Sequence, residues 1–131
     1  MMTRSASCSC GQLQATARGE PIRISVCHCL ACQHRTGSAF GVQARFRSDQ
    51  VTLEGRSKQY VRVADSGNKL IFNFCPECGS TVHYRLEHIP DVIAIPVGAF
   101  ADPHFPAPKF SVYESRRHAW ACIDADVERS T

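Results

Sequence analysis

Long hydrophobic runs are missing from this sequence. The longest apolar stretch, residues 92–100, contains Pro96 and Gly98 and falls well short of the roughly 20 residues needed to cross a bilayer. That excludes a membrane-spanning helix. The opening residues 1–7 also lack an apolar core ahead of the first cysteine pair, so no secretory signal is predicted and a cytoplasmic location is expected. Neither sign of charge dominates, with 15 Lys and Arg against 12 Asp and Glu. No helix of ordinary length suggests itself, and nothing repeats beyond the cysteine clusters. At 131 residues the chain has little room for a second domain, so one domain over residues 1–131 is expected. With 44% hydrophobic and 21% charged residues the composition fits neither a disordered nor a fibrous protein.

What is present is a succession of short segments with alternating or β-branched character, separated by Gly, Pro, Ser and Asp. They predict an all-β protein with strands near 12–17, 22–26, 39–46, 51–53, 59–63, 69–74, 81–86, 92–97 and 110–114. The period of two is clearest where Phe40, Val42, Ala44 and Phe46 alternate with Gly41, Gln43 and Arg45, and where Leu70, Phe72 and Phe74 share a face. Those faces are the expected core. Pro103, Pro106 and Pro108 predict an irregular connection, because proline cannot donate to a sheet ladder.

Eight cysteines are the outstanding feature. In a leaderless chain with C-x-C and C-x-x-C spacings, metal binding is expected over a disulfide framework. All but one fall in three clusters: Cys8 and Cys10; Cys27, Cys29 and Cys32; Cys75 and Cys78. In an extended segment residues i and i+2 face one side, so Cys8 with Cys10, and Cys27 with Cys29, can each present two sulfurs to one ion. Pro76 suits a type I turn that brings Cys75 and Cys78 round, with Gly79 following where a positive φ is tolerated. The outer two clusters together supply the four thiolates of a closed zinc site. The middle cluster supplies three and lacks a fourth, which is the arrangement of a catalytic zinc with one open position. A histidine, from among His28, His34, His83 and His118, is the alternative that would close it. Spacing alone also admits other groupings, such as Cys8, Cys10, Cys27 and Cys29 on one ion. Seven thiolates and two zinc ions would bring the formal net charge of +3 to about zero, which argues against a nucleic-acid partner.

The order C-x-C-G, then C-H-C-x-x-C followed by Gly37-Ser38-Ala39-Phe40, then F-C-x-x-C-G resembles the glutathione-dependent formaldehyde-activating enzyme family, also called the CENP-V/GFA domain. The match runs from Cys8 to Thr81, and Val97-Gly98 and the aromatic end near Trp120 agree with it. The resemblance implies a β-tent of short antiparallel sheets, a structural zinc on Cys8, Cys10, Cys75 and Cys78, and a catalytic zinc on Cys27, Cys29 and Cys32. It also implies a carbon-sulfur lyase type of reaction in which a thiol, glutathione by family default, adds to formaldehyde or a related small aldehyde. The competing expectation is a non-enzymatic zinc-stabilised β domain that acts as a binding module.

Remaining residues attract plainer expectations. Cys122, without partner spacing, is expected to be buried or partly buried. His28, between two ligands, is expected to face away from the metal. Arg35, Thr36, Gly37 and Ser38 form a loop after the three cysteines that is a candidate lining of the open position.

Overall fold

The computed structural model describes residues 2–131. Eleven strands follow one another: β1 (Thr3–Ser7), β2 (Gln14–Arg18), β3 (Arg23–Cys27), β4 (Gly41–Arg47), β5 (Val51–Glu54), β6 (Lys58–Val63), β7 (Lys69–Phe74), β8 (Thr81–Leu86), β9 (Ile89–Pro96), β10 (Phe110–Val112) and β11 (Glu128–Arg129). A single short helix, α1 (Leu30–Thr36), separates β3 from β4. The strands form a three-stranded sheet, β1-β2-β5, and an eight-stranded sheet, β11-β10-β3-β4-β9-β8-β7-β6. The all-β expectation holds. Among the described residues no helix is long and apolar enough to cross a membrane.

Alternation explains which sheet faces meet. Ala6, Leu13, Ala15 and Ala17 from the small sheet side pack with Ala44, Phe46, Val82, Ile93 and Ile95 of the large sheet. Three alanines on one face let the sheets approach closely, and Phe46, fully buried, fills the space left. Burying such a side chain contributes roughly 2–3 kcal/mol. A second cluster of Phe72, Tyr84, Leu86 and Ala94 lies on the other face of the large sheet. There the guanidinium of Arg35, from α1, sits 5.4 Å from the Phe72 ring and 5.5 Å from the Tyr84 ring. The faces expected from Phe46 and Phe72 are therefore both core, on opposite sides of one sheet.

Several local expectations are corrected. Cys8 to Gly11 is a turn rather than an extended segment, closed by Gly11 N–H donating to the Cys8 carbonyl at 3.1 Å. Short β1 and two-residue β11 carry too little alternation to be read from sequence. The 110–114 strand ends at Val112, because Tyr113 turns to φ 56 and a 3-10 turn begins at Glu114. Most pairings are antiparallel, but β10 runs parallel to β3 and to β11. The segment 35–38 is not a loop throughout: Arg35 and Thr36 belong to α1, and Gly37, at φ 67, ends it by donating to the Gln33 carbonyl. Cys122 is exposed, not buried.

Candidate metal centres

Two turns on different sides of the chain make the first centre. The sulfurs of Cys8, Cys10, Cys75 and Cys78 all lie within 4.8 Å of one another. Cys8 Sγ is 3.6 Å from Cys10 Sγ, which is itself 3.6 Å from Cys75 Sγ. Four thiolates held about 2.3 Å from a tetrahedral zinc stand about 3.8 Å apart, so the donor set fits zinc. The C-P-E-C turn is built as its sequence requires. Gly79 N–H donates to the Cys75 carbonyl at 2.8 Å and Cys75 N–H to the Ser80 carbonyl at 2.9 Å, with Gly79 at φ 82. Further donors are aimed at the sulfurs: Leu13 N–H at Cys8 (3.3 Å), Gln12 Nε2 at Cys75 (3.0 Å) and Glu77 N–H at Cys75 (3.4 Å). The bonds to Cys75 hold its thiol below the usual range against the effect of burial. Cys78 is pushed down to about 5, first by backbone N–H bonds from Ser80 and Cys10.

The second centre is local. Cys27 ends β3, Cys29 is the N-cap of α1 and Cys32 lies in its first turn, and their three sulfurs lie within 4.8 Å of one another. Cys32 N–H donates to Cys29 Sγ at 3.3 Å, so one sulfur caps the helix while facing the other two. Hydrogen bonds from Cys27 and then Cys32 push the Cys29 thiol down to about 2, and Arg62 adds a smaller electrostatic pull. Cys27 is pushed up because it donates to Cys29. Cys32, despite its bond from Cys27, is also pushed up by donating to Cys29 and by burial, so the three sulfurs share one thiolate, on Cys29, and ligation of a cation would release the other two protons. Among the described residues no histidine joins them. His28 turns away, His34 is exposed, His118 Nε2 is 2.9 Å from Gln33 Oε1, and His83 lies in a separate cleft.

His28 faces away from the sulfurs, as expected, but into the fold rather than to the surface. Its Nε2 is 2.9 Å from Ser111 Oγ and 3.4 Å from Glu114 Oε2, and the ring is fully buried. Ser111 Oγ donates to Glu114 in a short hydrogen bond. Arg129 Nη1 holds the same carboxylate at 3.1 Å, and the Ser111 bond, followed by Arg129, keeps Glu114 below the usual carboxylate range. Burial lowers the His28 pKa, so the imidazole is neutral. His28 N–H donates to the Val112 carbonyl at 3.1 Å, and Gln33 Nε2 to the His28 carbonyl at 2.9 Å. The parallel β10 therefore clamps the residue between two ligands. Ser111 and Glu114 carry no spacing signal because they lie far along the chain from the cysteines, and Gln33, though next to Cys32, reads as an ordinary polar residue of a short helix.

A cavity of about 390 Å³ is lined by Ala31, His34 and Arg35 of α1 together with Tyr60, Arg62 and Phe72; no cysteine lines it, but the charges of Arg62 and Arg35 reach Cys29 and Cys32. Arg62, like Arg35, holds its guanidinium over the Phe72 ring, at 5.3 Å. Of the segment 35–38, only Arg35 lines this cavity; Thr36 instead donates to the Cys32 carbonyl at 2.8 Å.

Comparison with known proteins bears on this arrangement. Residues 3–116 match the family described as glutathione-dependent formaldehyde-activating enzyme. A crystal structure of a Rhodobacter sphaeroides protein, solved as a structural-genomics target, shares the fold with a TM-score of 0.55 at 17% identity, covering 78% of this chain and 90% of that one. No curated protein matches the chain in sequence.

Proposed function

The chain belongs to the glutathione-dependent formaldehyde-activating enzyme family, and on that footing we propose that Cys27, Cys29 and Cys32 hold an open zinc at which a thiol is added to formaldehyde or a related small aldehyde. The single observation that carries this reading is the set of three converging sulfurs without a fourth ligand, beside a cavity that carries two guanidinium groups. Cys27, Cys29 and Cys32 would hold the zinc, which when bound would lower the pKa of an incoming thiol and keep its sulfur nucleophilic near neutral pH. The four-cysteine centre, by contrast, has no vacancy and is read as structural.

The reaction balances without an oxidant. A carbon-sulfur bond forms between thiol and aldehyde carbon, the carbonyl π bond breaks, and the thiol proton ends on the new hydroxyl group. Formally this is a carbon-sulfur lyase reaction run in the direction of addition. Chain residues supply position and charge. Arg62 and Arg35 place positive charge where an anionic thiol such as glutathione would bring a carboxylate, and both guanidinium groups lie against the Phe72 ring. Ala31 and Phe74 give the aliphatic part of such a thiol an apolar wall. His28, neutral and turned to Ser111, orients the cysteine segment and touches no substrate.

The test joins metal content to turnover. Native protein is expected to carry two zinc ions and to consume formaldehyde only when thiol is present. Cys29→Ser is expected to carry one, with the fold kept and consumption lost. Two ions with no turnover of any thiol and aldehyde pair would instead establish the binding-module reading.

A further inference from the structure

The large sheet has a second cleft on the face opposite the arginine cavity. Its volume is about 460 Å³. Register places Gln59, Asn73 and His83 in one row across β6, β7 and β8, and Val61, Ile71 and Arg85 in the next. Leu13, Leu53 and Gly55 come from the small sheet side.

Two side chains in the polar row keep nitrogens that the fold does not use. Asn73 is 6% exposed and His83 is 5% exposed. The Asn73 carbonyl oxygen accepts from Ser57 Oγ at 3.2 Å and from Gln59 Nε2 at 3.3 Å, so its acceptor capacity is taken up. Its NH₂ group has no partner among the described residues, nor has the His83 ring, and both residues line the cleft. These nitrogens are not sealed from water, so both side chains keep donors available to a ligand that enters the cleft. Burial, then Arg85, pushes His83 down to about 4, so its neutral ring offers one N–H near pH 7.

The lining decides what kind of occupant fits. Arg85 is its one charged residue, no acidic group faces it, and the amide and imidazole add donors on the same side. A single imidazole with neither carboxylate nor thiolate is a poor metal site. No Phe, Tyr or Trp ring lines it for a base to stack on. The remaining walls are aliphatic. We propose that this cleft is a second ligand site that takes a small organic monocarboxylate, its carboxylate on Arg85, His83 and the Asn73 NH₂ and its apolar tail between Leu53 and Ile71. The site is separate from the cysteines and does not rest on the lyase reading.

Titrating hexanoate into the zinc-loaded protein while following the Asn73 side-chain amide and the His83 ring by NMR tests it. Saturable one-to-one shifts of both groups are expected. Uncharged hexanamide should bind about tenfold more weakly or worse, since a hydrogen bond to a charged group is worth roughly 1.5–3 kcal/mol. Arg85→Gln should weaken hexanoate by a similar factor, and Cys29→Ser should leave it unchanged. Hexanoate that leaves Asn73 and His83 unmoved, or hexanamide that binds equally well, overturns the proposal. That comparison within the native protein decides even where Arg85→Gln fails to fold.

Discussion

The two cysteine centres use the same atoms to different ends. One gathers Cys8 and Cys10 from a turn ahead of β2 and Cys75 and Cys78 from a turn 65 residues later, so its ion would bind distant parts of the chain together. The other draws all three ligands from six consecutive residues at the junction of β3 and α1. Closing a long loop costs conformational entropy that an ion can offset, whereas ligands within one turn of chain need no ion to be neighbours. The second centre is instead held by protein: β10 pairs with β3, and His28 is tied to Ser111 and Glu114. On the proposed reading, ligand number and sequence span would separate a centre whose ion helps to make the fold from one that the fold makes.

The largest expected effect tests that separation directly. Cys78→Ser should remove coupling between metal binding and folding worth on the order of 10 kcal/mol, and circular dichroism should show loss of the sheets. Cys29→Ser should lose one ion and keep its spectrum. Equal loss of structure in both variants would break the distinction. Gly55→Ala comes next. Gly55 has φ +97, and a Cβ there would stand 2.0 Å from the Gln12 carbonyl oxygen. Backbone must shift, at a cost of roughly 3–4 kcal/mol. Because Gln12 also donates to Cys75 at 3.0 Å, the melting temperature and the retention of the first ion should fall together, with the second ion retained.

How much of this could be read in the sequence follows from the range of each signal. The strands around Phe46 and Phe72 were legible because period-two alternation is local and strong, and the clustering of cysteines because metal ligands come at fixed spacings. Short-range geometry was less legible. The Cys8 to Gly11 turn and the seven-residue α1 are set by capping bonds, with Cys29 as an N-cap whose sulfur replaces the usual hydroxyl. Least legible was the support of the second centre. Parallel pairing of three-residue β10 with β3 brings Ser111 to His28 across 83 positions, and a buried serine in a short strand looks like any other. The cleft at His83 was hidden for the same reason, since it exists only once two sheets meet.

Ser111→Ala sharpens the comparison at intermediate cost. It leaves His28 Nε2 and the Glu114 carboxylate without the hydroxyl between them, which should cost about 1–3 kcal/mol. If β10 and His28 position the sulfurs, zinc affinity at the second centre should fall about 10- to 100-fold, as when an outer partner of a metal site is lost. Competition with a chelator, read as two separate release phases, checks this. The first centre should release its ion as in the native protein, and Ser111→Thr should restore most of the second.

The smallest effect concerns charge alone. Arg62 is partly exposed, lies over Phe72 and pulls weakly on Cys29. Arg62→Gln removes the charge while keeping a planar, hydrogen-bonding end. An ion pair with a carboxylate at such a site contributes roughly 1 kcal/mol, so KM for glutathione should rise about fivefold while kcat and the content of both ions hold. A thiol without a carboxylate, such as 2-mercaptoethanol, should show no change. If both thiols lose equally, Arg62 acts on the cysteines and not on the substrate, and the second centre would then depend on the cavity for charge as it depends on β10 for position.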